Sequence, residues 1–161
     1  MELRDYTSFA DVRAALGVSE KELPDDVLVL SIYEDNLKTE MDNIGSSFMD
    51  DYDALLAVSS PDRAQERLLR AGRLFCTYVV ANHLLSSLSI FSPKDISDGK
   101  ASFSRQGDNP FADTIKMVRG RYAQYTASVS DLYAEFKVTT TVTTLPVFML
   151  ASTPTSNPIT G

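Results

Sequence analysis

The residue types that could do chemistry are few, and their spacing decides most of what they can do. The chain has one cysteine, Cys76, and one histidine, His83. Seven residues apart on a predicted helix, they stand about 10 Å apart along its axis. That is too far for a thiol–imidazole nucleophile, so both are expected in the core. One His and one Cys are also too few soft ligands for a structural zinc site, and no metal or cofactor is expected. The densest acidic cluster, Asp50-Asp51-Tyr52-Asp53, runs into Ala54-Leu55-Leu56 rather than the Asp-x-Asp-x-Asp-Gly loop that calcium needs. Helix capping and first-turn acid are its expected jobs. No Gly-x-Ser-x-Gly elbow is present, and Gly99-Lys100 lacks the glycine and context of a phosphate loop. A two-carboxylate glycosidase has no positive signal beyond an abundance of acids. The expectation is a protein that is not an enzyme.

The cations are more informative. Arg63, Arg67, Arg70 and Arg73 fall on one side of a predicted helix at about 100° per residue. Two readings stand side by side: a solvated face pairing with Glu66 at three- and four-residue spacing, or an inter-subunit contact with an acidic partner such as the first third of a neighbouring copy.

The elements that must carry these residues follow from capping signals and apolar periodicity. Thr7 or Ser8 can cap a short helix ended by Gly17, with Phe9, Val12 and Leu16 on its inner face. Ser19 to Leu23 reads as a further helical turn. Pro24-Asp25-Asp26 opens a long helix whose face is Val27, Leu30, Leu37, Met41, Ile44 and Phe48. Glu34 alone interrupts that face, as an edge or paired residue. A second long helix opens at Ser60-Pro61-Asp62, with Ser60 as N-cap and Pro61 in the first turn. The third starts at Asn109-Pro110, and Phe111, Ile115, Val118, Tyr122, Tyr125, Val129, Leu132 and Phe136 form a heptad-like seam that demands helical partners. Between these last two, Asp98-Gly99 is a favoured hairpin turn, so residues 94–105 read as a projecting β-hairpin. The expected fold class is therefore mainly α: a bundle of three long helices plus a short N-terminal helix, a small β-hairpin insert, and an extended, β-prone C-terminal arm. The expected domains are a bundle over 1–137 and an arm over 138–161.

Charge is distributed unevenly over the 161 residues. The net charge of −7 resolves into 4 basic and 14 acidic side chains over residues 1–58, 11 basic and 8 acidic over 59–137, and none in the last 24 residues. An acidic chain of this kind is a poor grip for nucleic-acid phosphates. No signal-peptide pattern opens the sequence, and the longest apolar run, Leu145 to Ala151, is far short of the ~20 residues of a membrane span. In the tail, Val138, Val142, Leu145, Val147, Phe148, Met149 and Leu150 are apolar and β-prone. Left free in water they would be an aggregation hazard. They are expected to dock on another chain by strand addition, or else on their own bundle.

The segment Phe9-Ala10-Asp11-Val12-Arg13-Ala14-Ala15-Leu16-Gly17-Val18-Ser19-Glu20-Lys21-Glu22-Leu23-Pro24-Asp25 resembles the N-terminal part of tailed-bacteriophage head–tail connector proteins, also called adaptor or head-completion proteins. The insert Ile96-Ser97-Asp98-Gly99-Lys100 before an Asn-Pro-Phe helix start, and the C-terminal arm, are similar to the same group. The resemblance implies a homo-oligomeric ring, commonly a dodecamer, at the virion neck, made in the host cytoplasm. Its helices would form the ring wall, the arm would reach the portal protein, and the other face would receive a tail or stopper protein. Packaged DNA would pass through without specific binding, helped by an acidic lumen. Another virion part, such as a tail-completion protein, and a non-viral helical interaction or regulator protein are the alternatives.

Overall fold

In the structure, a computed structural model, residues 2–85, 95–97, 102–104 and 112–143 are described. They contain seven helices: α1 (Leu3–Tyr6), α2 (Phe9–Leu16), α3 (Asp25–Leu28), α4 (Ser31–Ile44), α5 (Phe48–Leu56), α6 (Arg63–Leu84) and α7 (Ala112–Thr143). The chain is mainly α. The short strands β1 (Asp95–Ser97) and β2 (Ser102–Ser104) pair antiparallel, Ile96 opposite Phe103.

Local chemistry explains where the early helices start and stop. Ser8 accepts a hydrogen bond from the Asp11 N–H at 3.0 Å, capping α2. Gly17 ends it at φ 70°, a left-handed conformation that costs a glycine little. The expected single helix from Pro24 onward is instead three. Leu30 is extended (φ −65°, ψ 131°), separating α3 from α4, and Gly45 and the two serines after it separate α4 from α5. Beyond the first break the expected face holds, with Leu37, Met41 and Phe48 in the core, but at α3 it is corrected: Leu28 is fully buried and Leu30 is 51% exposed. The cap of α6 is also corrected by two residues: Asp62, not Ser60, accepts from the Ala64 and Gln65 N–H groups at 2.8 and 2.9 Å, and Gln65 caps back at 2.9 Å.

Two further expectations are corrected. The packed body is helical throughout, and a projecting hairpin insert is not shown. The ladder is three residues on each side, and Asp98-Gly99 lies outside the described residues. The β-prone arm from 138 is not shown either, because α7 continues through the Lys137–Val138 junction to Thr143. Valine and threonine lower helix propensity only by tenths of a kcal/mol each. Adding residues to an existing helix is far easier than nucleating one. The first strong breaker is Pro146, which disfavours helix at the residue before it.

At 32 residues, α7 is about 48 Å long, and it packs along α6 as the most extensive interhelix contact. Val118 and Val129 are fully buried. Ile115, Tyr122, Tyr125, Leu132 and Phe136 pack half-buried against the core, and Phe111 lies outside the described residues. The core joins Val12 and Leu16 of α2, Leu37 and Met41 of α4, Phe48 and Tyr52 of α5, and Phe75, Val79 and Leu84 of α6. Cys76 is completely buried among them, and burial pushes its thiol well above the ordinary range. At Gly72 the Tyr52 ring of α5 packs directly on the α6 backbone: a Cβ placed there would stand 2.3 Å from it.

Candidate interaction surface

The carboxylates of the acidic third have structural work that composition does not reveal. Three tyrosine hydroxyls donate to them: Tyr6 to Asp53, Tyr122 to Glu40 at 2.9 Å, and Tyr133 to Asp51 at 2.6 Å. Each bond joins elements distant in sequence. Burial and the Asp53 carboxylate together push the Tyr6 hydroxyl far above its ordinary value, so it stays a donor. His83 Nε2 lies 4.0 Å from Glu40 Oε1, and Glu34 accepts the Leu3 N–H at 3.3 Å. Asp25 pairs with Arg4 at 3.2 Å and with Arg13, whose Nε also donates to the Leu23 carbonyl at 2.8 Å. Between α6 and the α1–α2 junction, the buried Thr7 and Thr77 hydroxyls share a 2.7 Å hydrogen bond, which satisfies both.

A tighter cluster holds the C-terminal part of α7. Lys137 Nζ is 2.6 Å from Asp51, and Ser47 Oγ is 3.0 Å from the Tyr133 hydroxyl. Burial works to raise the Asp51 carboxyl, but bonds from Lys137, Tyr133 and Ser47 outweigh it and hold the group below its ordinary value. The Lys137 ammonium is raised in turn, chiefly by its bond to Asp51.

Arg63, Arg67 and Arg70 occupy one exposed stripe of α6. Among the described residues no carboxylate pairs with any of the three, Glu66 included. Arg73 turns away from that stripe and pairs with Asp11 of α2 at 2.9 Å. The Ser8 bond and then Arg73 hold the Asp11 carboxyl below its ordinary value. The predicted row thus divides into three exposed cations and one interhelix tie.

Arg70 and Arg73 rim a cleft of about 500 Å³ whose walls include Tyr52, Leu55, Leu56, Val58 and Leu69. Arg4 stands at its other side, and it also borders a second cleft of about 330 Å³ with Glu2, Phe9, Val29 and Glu34. Sequence reasoning missed both clefts. The sequence signal for them is apolar residues outside the helical stripes, Val29 and Ile32 at the α3–α4 junction and Leu56 and Val58 at the end of α5; Leu30, expected on the inner face, joins them, and all five are 40–56% exposed.

Of the tail residues singled out, Val138 is 65% exposed on α7 and Val142 lies within the helix. Leu145, Val147, Phe148, Met149 and Leu150 lie outside the described residues. Among the described residues, no group of three or more His, Cys, Asp or Glu side chains is placed to hold a metal ion, and no helix is long and apolar enough to cross a membrane.

No protein-family model matches the chain, and neither does any curated protein or any solved structure. A reading of its function rests on its own residues.

Proposed function

We propose that the protein is a structural component of a tailed-phage particle, a head–tail connector that joins its own copies and the portal protein in a ring at the virion neck. The observation that carries this reading is the row Arg63, Arg67 and Arg70: three exposed cations on a well-packed helix of an acidic chain, without a carboxylate partner among the described residues. Such a row is suited to an acidic protein surface. The resemblance of residues 9–25 to connector proteins supports the same reading. In it, the uncharged segment 144–161 docks on the portal through Leu145, Val147, Phe148, Met149 and Leu150, and a tail or stopper protein binds the opposite face. Carboxylates left at the surface repel the DNA backbone, so the duplex slides rather than sticks.

The test is to mix the purified chain with portal rings encoded in the same genome and measure particle mass by light scattering. A ring-on-portal complex is expected, and deletion of residues 144–161 should abolish it. A chain that never joins the portal refutes the reading; one that binds tail tube but not portal is a tail-completion protein instead.

A further inference from the structure

Large apolar side chains exposed singly are ordinary on protein surfaces. Here five of the seven among the described residues fall in two groups, and the groups differ in charge. The first is the α3–α4 corner, where Val29, Leu30 and Ile32 are 55%, 51% and 56% exposed. Glu2 and Glu34 share the cleft beside Val29 with Arg4, whose guanidinium pairs with Asp25, and exposed Asp26 has no pairing partner among the described residues. The second is the end of α5 and the turn after it, where Leu56 and Val58 are 46% and 40% exposed beside Arg70. Arg67 and Arg63 continue that side along α6.

Like charges three and four residues apart on a helix repel one another by a few tenths of a kcal/mol per pair. Glu66 stands three residues after Arg63 and four before Arg70 but forms no ion pair with any of the three, so it offsets the repulsion only in part. An acidic, apolar surface would relieve the repulsion and remove both apolar groups from water. This chain carries one at the α3–α4 corner. We propose that the two surfaces are the two halves of a contact between copies: Val29, Leu30 and Ile32 of one molecule seat on Leu56 and Val58 of the next, with Asp26 facing the Arg63–Arg67–Arg70 row. The halves are unlike, so the contact is heterologous and leaves one of each free on a pair of molecules. The uncharged segment 144–161 cannot answer the arginine row by charge, and a second copy can. The proposal names the surfaces of the ring contact and in that sense rests on the assembly reading.

The experiment uses the full-length chain. Ile32→Cys and Val58→Cys proteins are mixed under mild oxidation with Cys76 left in place, since it is completely buried. The mixed disulfide, which joins position 32 of one chain to position 58 of the other, should dominate over both symmetric products. Its yield should fall roughly tenfold in about 1 M salt, where charges are screened beyond about 3 Å. In a second arm, Leu30→Asp and Arg67→Glu proteins, each with wild-type helical circular dichroism, should be monomeric alone. Mixed, they should form a dimer, because one intact half survives on each. A wild-type chain that stays monomeric at every concentration overturns the proposal. So do symmetric crosslinks only, or association that is lost on truncation after Thr143, which would assign the surfaces to the tail segment. Association by this contact without portal binding sinks the connector reading alone. Portal binding without the mixed crosslink sinks this proposal alone.

Discussion

Replacing Gly72 by alanine tests how α5 is seated on α6, and so how the floor of the arginine-rimmed cleft is built. A methyl at this position would stand 2.3 Å from Tyr52 Cε2, 2.8 Å from Cζ and 2.9 Å from Oη, where ordinary carbon contacts need about 3.5–4 Å. The ring must retreat by more than about 1 Å, and it has little room. Tyr52 is 2% exposed, its hydroxyl donates to the Leu69 carbonyl at 2.9 Å, and Tyr6 and Phe48 lie against it with centroids at 6.1 and 5.6 Å. Overpacking costs about 1–3 kcal/mol, and losing the Tyr52 hydrogen bond adds about 1. Against this, Gly→Ala inside a helix contributes about 1 kcal/mol of stability. The net expectation is a loss of about 1–3 kcal/mol, read by urea unfolding, with a Tm lower by roughly 2–12 °C for a chain of this size. A double-mutant cycle with Tyr52→Leu separates the causes. Alone, Tyr52→Leu leaves a void; beside Gly72→Ala the added methyl fills part of it, so the two costs should sum to more than the double mutant loses. A Gly72→Ala protein as stable as wild type, or a cycle that is additive, would refute the close approach.

The Lys137–Asp51–Tyr133 cluster should be sensitive to acid. A carboxyl held below its ordinary value stabilises the fold above the unfolded-state pKa, near about 4, and this contribution is lost as pH falls through the lower folded value. The stability gap between wild type and Asp51→Asn, measured by urea unfolding, should be present at pH 7 and close as the solution becomes acidic; a gap that stays constant refutes the linkage. At the alkaline end the raised Lys137 contributes below its unfolded value and is lost as pH rises through the folded one, so Lys137→Met should converge with wild type only in strong alkali. Arg73→Ala should cost no more than about 1 kcal/mol, because its pair with Asp11 is solvent-exposed, whereas Arg67→Ala should leave stability unchanged. Cys76 should react with a thiol reagent only on unfolding, at a rate that follows global opening, since burial both shields the thiol and disfavours the thiolate.

Features carried by local chemistry were legible in the sequence. The α2 cap and its glycine stop, the seam of α7 around Val118 and Val129, and the burial of Cys76 each follow from a few neighbouring residue types. What depended on competition between weak preferences was not. The residues after Val138 have strand-forming composition, but a long helix already in place extends through them to Thr143. Residues 24–48 keep a helical apolar period, yet extended Leu30 and the glycine–serine turn divide them; Leu37, Met41 and Phe48 still face the core, whereas the first break turns Leu30 outward and buries Leu28. Tyr133 stands outside the 4–3 seam and is nevertheless buried, because it meets Phe48 edge-on at 5.0 Å and bonds to Asp51. A partner on α5 cannot be read from the periodicity of α7. For the surface, the four arginines were visible as a row. That Arg73 leaves it for Asp11 follows from the docking of α2, which no spacing within α6 encodes.

The tyrosine–carboxylate bonds change what the acidic third means. A lysine or arginine partner would cancel a carboxylate's charge; a neutral tyrosine hydroxyl fixes its position and leaves the charge intact. Asp53 and Glu40 are held in this way, so they tie α1 and α7 to the body while still contributing to the negative field. Asp11, Asp25 and Asp51 are neutralised by arginine or lysine, all in pairs that join separate elements. The chain therefore uses cations to tie down α2, α1 and the end of α7, and leaves Arg63, Arg67 and Arg70 grouped on one stripe. That arrangement adds nothing to the stability of a single chain. Moving one of those arginines within reach of Asp26 or Asp50 would gain an ion pair and reduce self-repulsion at once. Three cations left without carboxylate partners are thus grouped on one helix, while the anions that have partners are spread over α2, α3, α4 and α5 and held in place by them. In the contact proposed above, that grouping gives the arginine row an acidic surface to meet, and the tyrosine-held carboxylates keep their charge when it forms.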